Sequence, residues 1–163
     1  MEDMRVCIAN ISECYNEGEL VEAWFEPPID FDEVKERIGL NSWSDEYAIH
    51  NYELPFDIDE YTPIEEINRL CALVKDFPNY VQDNLGKIMC YYGSLDALAN
   101  VVNDIYAWYG CDSLSDVVDK LMWDEDFIKS RMVRYIDRTD LERGLDIEYH
   151  WVEVGGMMLQ LPL

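Results

Sequence analysis

Apolar and polar positions alternate through the first third of the chain. "RVCIANI" (residues 5–11) and "ELVEAWFE" (19–26) are rich in Val, Ile and aromatic residues, the composition of strands. Asn16 to Gly18 between them supplies turn chemistry. The period then changes. In "DFDEVKERIG" (30–39), Phe31, Val34 and Ile38 recur at helical spacing, and Gly39 can close the helix. "EYAIHNYEL" (46–54) alternates again as a third strand. From residue 62 the pattern is helical. Thr62 and Glu65 form a capping-box pattern with Pro63 at the first helical position, and Ile64, Ile67, Leu70, Cys71 and Val74 share one face. "NYVQDNLGKIMCYY" (79–92) is a weaker helix containing Gly86. Ser94 caps a third helix that turns Leu95, Leu98, Val102 and Ile105 inward. Ser113 with Asp116 caps a fourth that carries Leu114, Val117, Val118 and Leu121, and "DEDFIKSRMVRYI" (124–136) suggests a fifth. "DIEYHWVEV" (146–154) and "MMLQL" (157–161) flank Gly155-Gly156, a hairpin signal. The predicted class is α+β, with no internal repeat and no low-complexity linker.

Composition narrows the picture. Hydrophobic residues make up 49% of the 163 residues and aromatics 13%, enough for packed cores. No apolar run reaches the roughly 18 residues of a membrane span, and the N-terminus lacks the apolar stretch of a signal peptide, so a cytoplasmic protein is expected. Cys7, Cys14, Cys71, Cys90 and Cys111 are odd in number and never in C-x-x-C spacing, which points to reduced, mostly buried thiols.

Charge changes the picture most. Acidic residues number 35 against 12 basic, a net of −23. Residues 1–68 hold 19 acidic and 3 basic side chains, whereas six of the basic residues fall between Lys120 and Arg143. Such a chain has no general basic surface for nucleic acid and is repelled by anionic membranes, so a basic partner is the natural counterpart.

Familiar chemistry does not account for these acids. An EF-hand loop beginning at Asp57 needs Gly and Glu at its sixth and twelfth positions, where Thr62 and Asn68 stand. His50 and His150 are the only histidines, each within an apparent strand, and are read as packed or surface imidazoles. No nucleophile elbow, P-loop or dinucleotide fingerprint occurs. With 35 carboxylates, some pair always falls at hydrolase spacing, so the pair carries no specificity. Trp24, Trp43, Trp108, Trp123 and Trp151 are assigned to core and interface. No cofactor, no metal and no enzymatic activity are expected. Ordinary surfaces intersperse both signs of charge, and the first half of this one does not. Duplex DNA shows one negative charge per ≈ 1.7 Å, so 23 net charges match roughly 40 Å of duplex, and a symmetric dimer roughly 80 Å. The rival reading is an acidic chaperone or adaptor that binds basic proteins without any DNA-like shape.

The segments "MRVCIANI", "YNEGELVEAWFEPPIDFDEVKERIGLN" and "EYAIHNYELPFDIDEYTPIEEINRL" closely resemble the ArdA-type antirestriction proteins over residues 4–70. "YGCDSLSDVVDKL" and "YIDRTDLERGL" resemble the family's later segments more weakly. In the latter, Tyr135, Asp137, Arg143 and Leu145 fit the family pattern, and Arg138, Asp140, Leu141, Glu142 and Gly144 depart from it. The resemblance implies an elongated, three-lobed homodimer that mimics bent B-form DNA. It also implies occupation of the DNA site of Type I restriction–modification enzymes, and carriage on a mobile genetic element. The lobes expected are an α+β lobe at 1–61, a helical lobe at 62–103, and an α+β lobe at 104–163 holding the dimer interface. The phosphate-like track expected runs over Glu17, Glu19, Glu22, Glu26, Asp30, Asp32, Glu33, Glu36, Asp45, Glu46, Glu53, Asp57, Asp59, Glu60, Glu65 and Glu66. Asp112, Asp116, Asp119, Asp124, Glu125 and Asp126 extend it. Tyr135, Ile136, Leu141 and Leu145 are expected at the self-association surface. Glu65 and Glu66 also suit the N-terminal end of a helix, which leaves Asp57, Asp59 and Glu60 as the purer phosphate-like candidates.

Overall fold

The structure is a computed structural model that describes residues 4–12, 20–40, 46–123 and 136–163. The class is α+β, as the periodicity predicted. Two compact units, Met1–Gly86 and Lys87–Leu163, divide the chain. The turn expected at Asn16 to Gly18, and most of the fifth helix, lie outside the described residues.

In the first unit, β1 (Arg5–Asn10), β2 (Val21–Phe25) and β3 (Tyr47–Glu53) form an antiparallel sheet in the order β2-β1-β3. β1 is central, and Val6, Cys7, Ile8 and Ala9 are all buried. Its pairing with β3 shifts register between Cys7 and Ile8, so His50 is an extra residue on β3 at a bulge. Helix α1 (Phe31–Ile38) buries Val34 and Ile38, the positions its spacing singled out. The Asp30 carboxylate caps its start by accepting from the Asp32 N–H, and Gly39 ends it at φ 73°. A side chain at that φ is strained, which is why glycine closes the helix. Asn10 is buried and donates to the Ile38 carbonyl at 3.0 Å, tying the central strand to the end of α1.

Helix α2 (Ile64–Lys75) buries Ile64, Ile67, Cys71 and Val74. The capping box is not formed. Pro63 is the N-cap residue, without a side-chain cap bond, and the Thr62 hydroxyl instead accepts from the Asp59 N–H at 2.9 Å. That bond tightens the preceding loop and leaves the helix start to the Pro63 backbone. Asn68, on α2, exchanges two bonds with the Ile29 backbone, at 2.6 and 2.8 Å. The single helix expected over 79–92 is two short turns, α3 (Asn79–Gln82) and α4 (Leu85–Ile88). Here the Asn84 amide donates to the Tyr80 carbonyl, and the Gln82 amide to the Phe77 carbonyl. Side chains that bond nearby backbone in this way compete with continued helix.

In the second unit, α5 (Leu95–Val101) starts at Ser94, whose hydroxyl accepts from the Ala97 N–H. Leu95, Leu98, Val102 and Ile105 are buried, as predicted. Helix α6 (Leu114–Met122) starts at Ser113 in the same manner and buries Val117 and Val118. Strand β4 (Tyr106–Tyr109) was not predicted; it pairs with β6 (Met157–Pro162), which pairs in turn with β5 (Tyr149–Glu153). β5 begins three residues later than the pattern suggested, because Asp137 caps a helix, α7 (Arg138–Glu148), that runs through Asp146 to Glu148. The predicted Gly155-Gly156 hairpin is present, with φ of 54° and 82°. Cys111, Val117 and Met158 pack together beneath Trp108, Leu114, Leu121 and Trp151. The Trp108 indole donates to Gln160 and the Trp151 indole to the Leu145 carbonyl. Trp123 is 79% exposed and lies outside the core, and Trp43 lies outside the described residues.

Candidate functional site

The acidic surface is built on the first unit's loops and helix starts. Residues 1–86 carry 21 acidic and 5 basic side chains. Glu22 lies on β2, Glu26 follows it, and Asp30, Asp32, Glu33 and Glu36 line the start and outer face of α1. Glu46 precedes β3 and Glu53 ends it. Asp57, Asp59 and Glu60 occupy the loop to α2, and Glu65 and Glu66 its first turn. The Glu60 carbonyl accepts from the Ile49 N–H at 2.7 Å, which holds this loop along the edge of β3 that faces away from β1. All these carboxylates are exposed except Glu66, which is half-buried.

The five basic residues of the unit account for few of them. Arg5 holds Glu53 through two bonds, at 2.5 and 2.7 Å. Lys35 pairs with Asp32, Arg37 with Glu33 and Arg69 with Glu66. Lys75 donates to the Pro27 carbonyl. Glu22 contacts the His50 imidazole. Among the described residues, Glu26, Asp30, Glu36, Glu46, Asp57, Asp59, Glu60 and Glu65 make no ion pair. Asp30 has a structural job as the α1 cap, and Asp57 accepts from the Tyr52 hydroxyl at 3.1 Å. Hydrogen bonds from Arg5 hold the Glu53 carboxyl below the usual range.

The second unit's acids are more often tied down. Asp116 accepts from the Ser113 hydroxyl and the Asp112 N–H, which lowers its pKa below the usual range. Asp119 pairs with Arg138, which also reaches Ser115 and Glu142. Arg138 departs from the family-like pattern, and its position explains what it does: it joins the start of α7 to α6. Asp112 is exposed. Glu17, Glu19, Asp45, Asp124, Glu125, Asp126 and Tyr135 lie outside the described residues. Of the expected self-association residues, Ile136, Leu141 and Leu145 are half-buried. Sequence reasoning passed over the more exposed apolar side chains of this unit: Ile147 on α7, 68% exposed, and Tyr106 and Tyr109 on β4. Ile147 was hidden by its assignment to a strand.

Two open depressions also occur. One of about 500 Å³ is lined by Ile11, Glu46, Tyr47 and Tyr61, and one of about 330 Å³ by β4 residues with Lys120 and Leu121. No helix among the described residues is long and apolar enough to cross a membrane.

The sequence model of the family described as Antirestriction protein (ArdA) matches residues 6–158. A comparison with curated proteins returns no match.

Proposed function

The chain belongs to the ArdA family of antirestriction proteins, and from that membership we propose that it inhibits Type I restriction–modification enzymes by occupying their DNA-binding site as a carboxylate mimic of B-form DNA. The observation that carries this reading is the surplus of exposed carboxylates in the first unit. A DNA-binding channel is lined with Lys and Arg for phosphate contact, and it supplies the cations that this surface lacks. The ion pairs sharpen the set. Glu26, Glu36, Glu46, Asp57, Asp59, Glu60 and Glu65 are the phosphate-like groups on this proposal. Asp30, Asp32, Glu33, Glu53, Glu66, Asp116 and Asp119 serve local structure first.

The proposal includes the three lobes at 1–61, 62–103 and 104–163 and a homodimer formed through the last of them, around Ile136, Leu141 and Leu145. It also includes action in the cytoplasm of a bacterial host, on behalf of a mobile element. A mimic of this kind needs no nucleic acid, cofactor or catalytic group of its own.

Charge neutralisation tests it. An exposed ion pair is worth ~0–1 kcal/mol, so Glu46→Gln alone should weaken inhibition by no more than about fivefold. The combined variant Asp57→Asn, Asp59→Asn, Glu60→Gln and Glu65→Gln should abolish inhibition while keeping the fold. Full inhibition by the combined variant would remove the carboxylate track from the account. An unrelated acidic polymer that competes as well as this protein would favour the acidic-adaptor reading instead.

A further inference from the structure

The β-sheet of the first unit gathers three side chains that the proposed function does not use together. Cys7 lies on central β1, Glu22 on β2 and His50 on β3. Their ligand atoms, one from each residue, all lie within 4.8 Å of one another. The register explains how. Glu22 sits opposite Ala9, two residues along β1 from Cys7 and so on the same face. Simple alternation would place His50 on the opposite face from Asn51, which pairs with Cys7. The bulge between Cys7 and Ile8 re-aims it. The His50 Nδ1 then contacts the Glu22 carboxylate. Cys7 is buried, forming a floor, whereas the Glu22 and His50 side chains are 41% and 56% exposed, forming an open rim.

We infer that Cys7, Glu22 and His50 form a binding site for a borderline divalent transition-metal ion, such as zinc or cobalt(II). The donor set is one thiolate, one imidazole and one carboxylate, which suits such ions and disfavours calcium and magnesium. With metal–ligand distances of about 2.0–2.3 Å, donors on a tetrahedral ion stand roughly 3.3–3.7 Å apart. To reach that spacing the His50 and Glu22 donors, now in direct contact, part to admit the ion, and side-chain rotation brings the Cys7 sulfur to it. Three protein ligands leave a fourth position for water on the exposed side. Binding replaces the thiol proton, which passes to solvent, with the metal–sulfur bond. Because the ligands come from all three strands, the ion links both outer strands to the central one. It also withdraws Glu22 from the carboxylate surface, so metal content and charge mimicry become separable.

Cobalt(II) chloride titrated into the chelator-treated full chain tests this. One equivalent should bind, with thiolate-to-cobalt charge-transfer absorption and the strong visible bands of a tetrahedral site. Cys7→Ser should remove the charge-transfer band. Loss of an outer-shell partner alone typically weakens a site by 10–100-fold, so Glu22→Gln and His50→Gln should each weaken binding by at least about tenfold. Both of these change exposed side chains and leave the core untouched. Cys14→Ser and Cys90→Ser should leave the spectrum unchanged. Absence of stoichiometric binding overturns the inference. So does a band that survives in Cys7→Ser, or binding as tight in His50→Gln as in the parent.

Discussion

Single side chains in this protein divide into those that carry charge to the surface and those that hold backbone together. Asn68 is of the second kind. Its amide satisfies both the N–H and the carbonyl of Ile29, which are otherwise part-buried without secondary-structure partners. Asn68→Ala should cost about 1–3 kcal/mol of stability, measured by urea unfolding, because it strands two backbone groups. Asp116 shows that an acid can belong to both kinds. Hydrogen bonds from the Ser113 hydroxyl and the Asp112 N–H hold its carboxyl below the ordinary range in the folded state. A depressed folded-state pKa contributes stability above the unfolded pKa of about 3.9, and that contribution is lost as pH falls through the folded value. Asp116→Asn should therefore be less stable than the parent at pH 7. The gap should hold down to about pH 5 and narrow as the pH falls from there to below 3, and a gap that widens in acid would reverse the assignment.

Elements show how much the sequence reveals and where it stops. β1, β2, α1 and β3 are legible because each contains its own period and its own punctuation, such as Gly39 at the end of α1. The Ser94 and Ser113 caps are legible for the same reason. β4 is not. It is four residues long, and the strand it pairs with, β6, lies about fifty residues later in the chain. α7 is obscured because Val and aromatic residues downstream pull the strand pattern back across Asp146–Glu148, where the Asp137 cap in fact sets a helix. Most candidate acids were legible as exposed, since charge seldom buries, but their ion pairing was not. Arg5 and Glu53 are forty-eight residues apart and meet only through strand register. The cluster of Cys7, Glu22 and His50 is hidden in the same way, with no metal-ligand spacing to announce it. α7 also carries the proposed self-association surface. Leu141→Glu with Leu145→Glu should shift the protein from dimer to monomer in sedimentation while leaving its circular dichroism unchanged. A parent that is already monomeric would contradict that surface.

At the scale of the whole molecule, a net charge of −23 is a cost to folding that a basic partner removes. The surplus is concentrated in residues 1–86, where the basic side chains are largely engaged already. Binding driven by such a surface should weaken steeply with salt, since exposed charges are screened within ~10 Å at 0.1 M. The central claim is that this surface and a DNA duplex occupy one site. A Type I restriction–modification enzyme carrying a labelled duplex, titrated with this protein at constant ionic strength, tests it directly. The account predicts that the duplex is displaced completely, and that the protein's apparent affinity falls in proportion as duplex concentration rises. A ternary complex in which enzyme holds both, each with undiminished affinity, would contradict it.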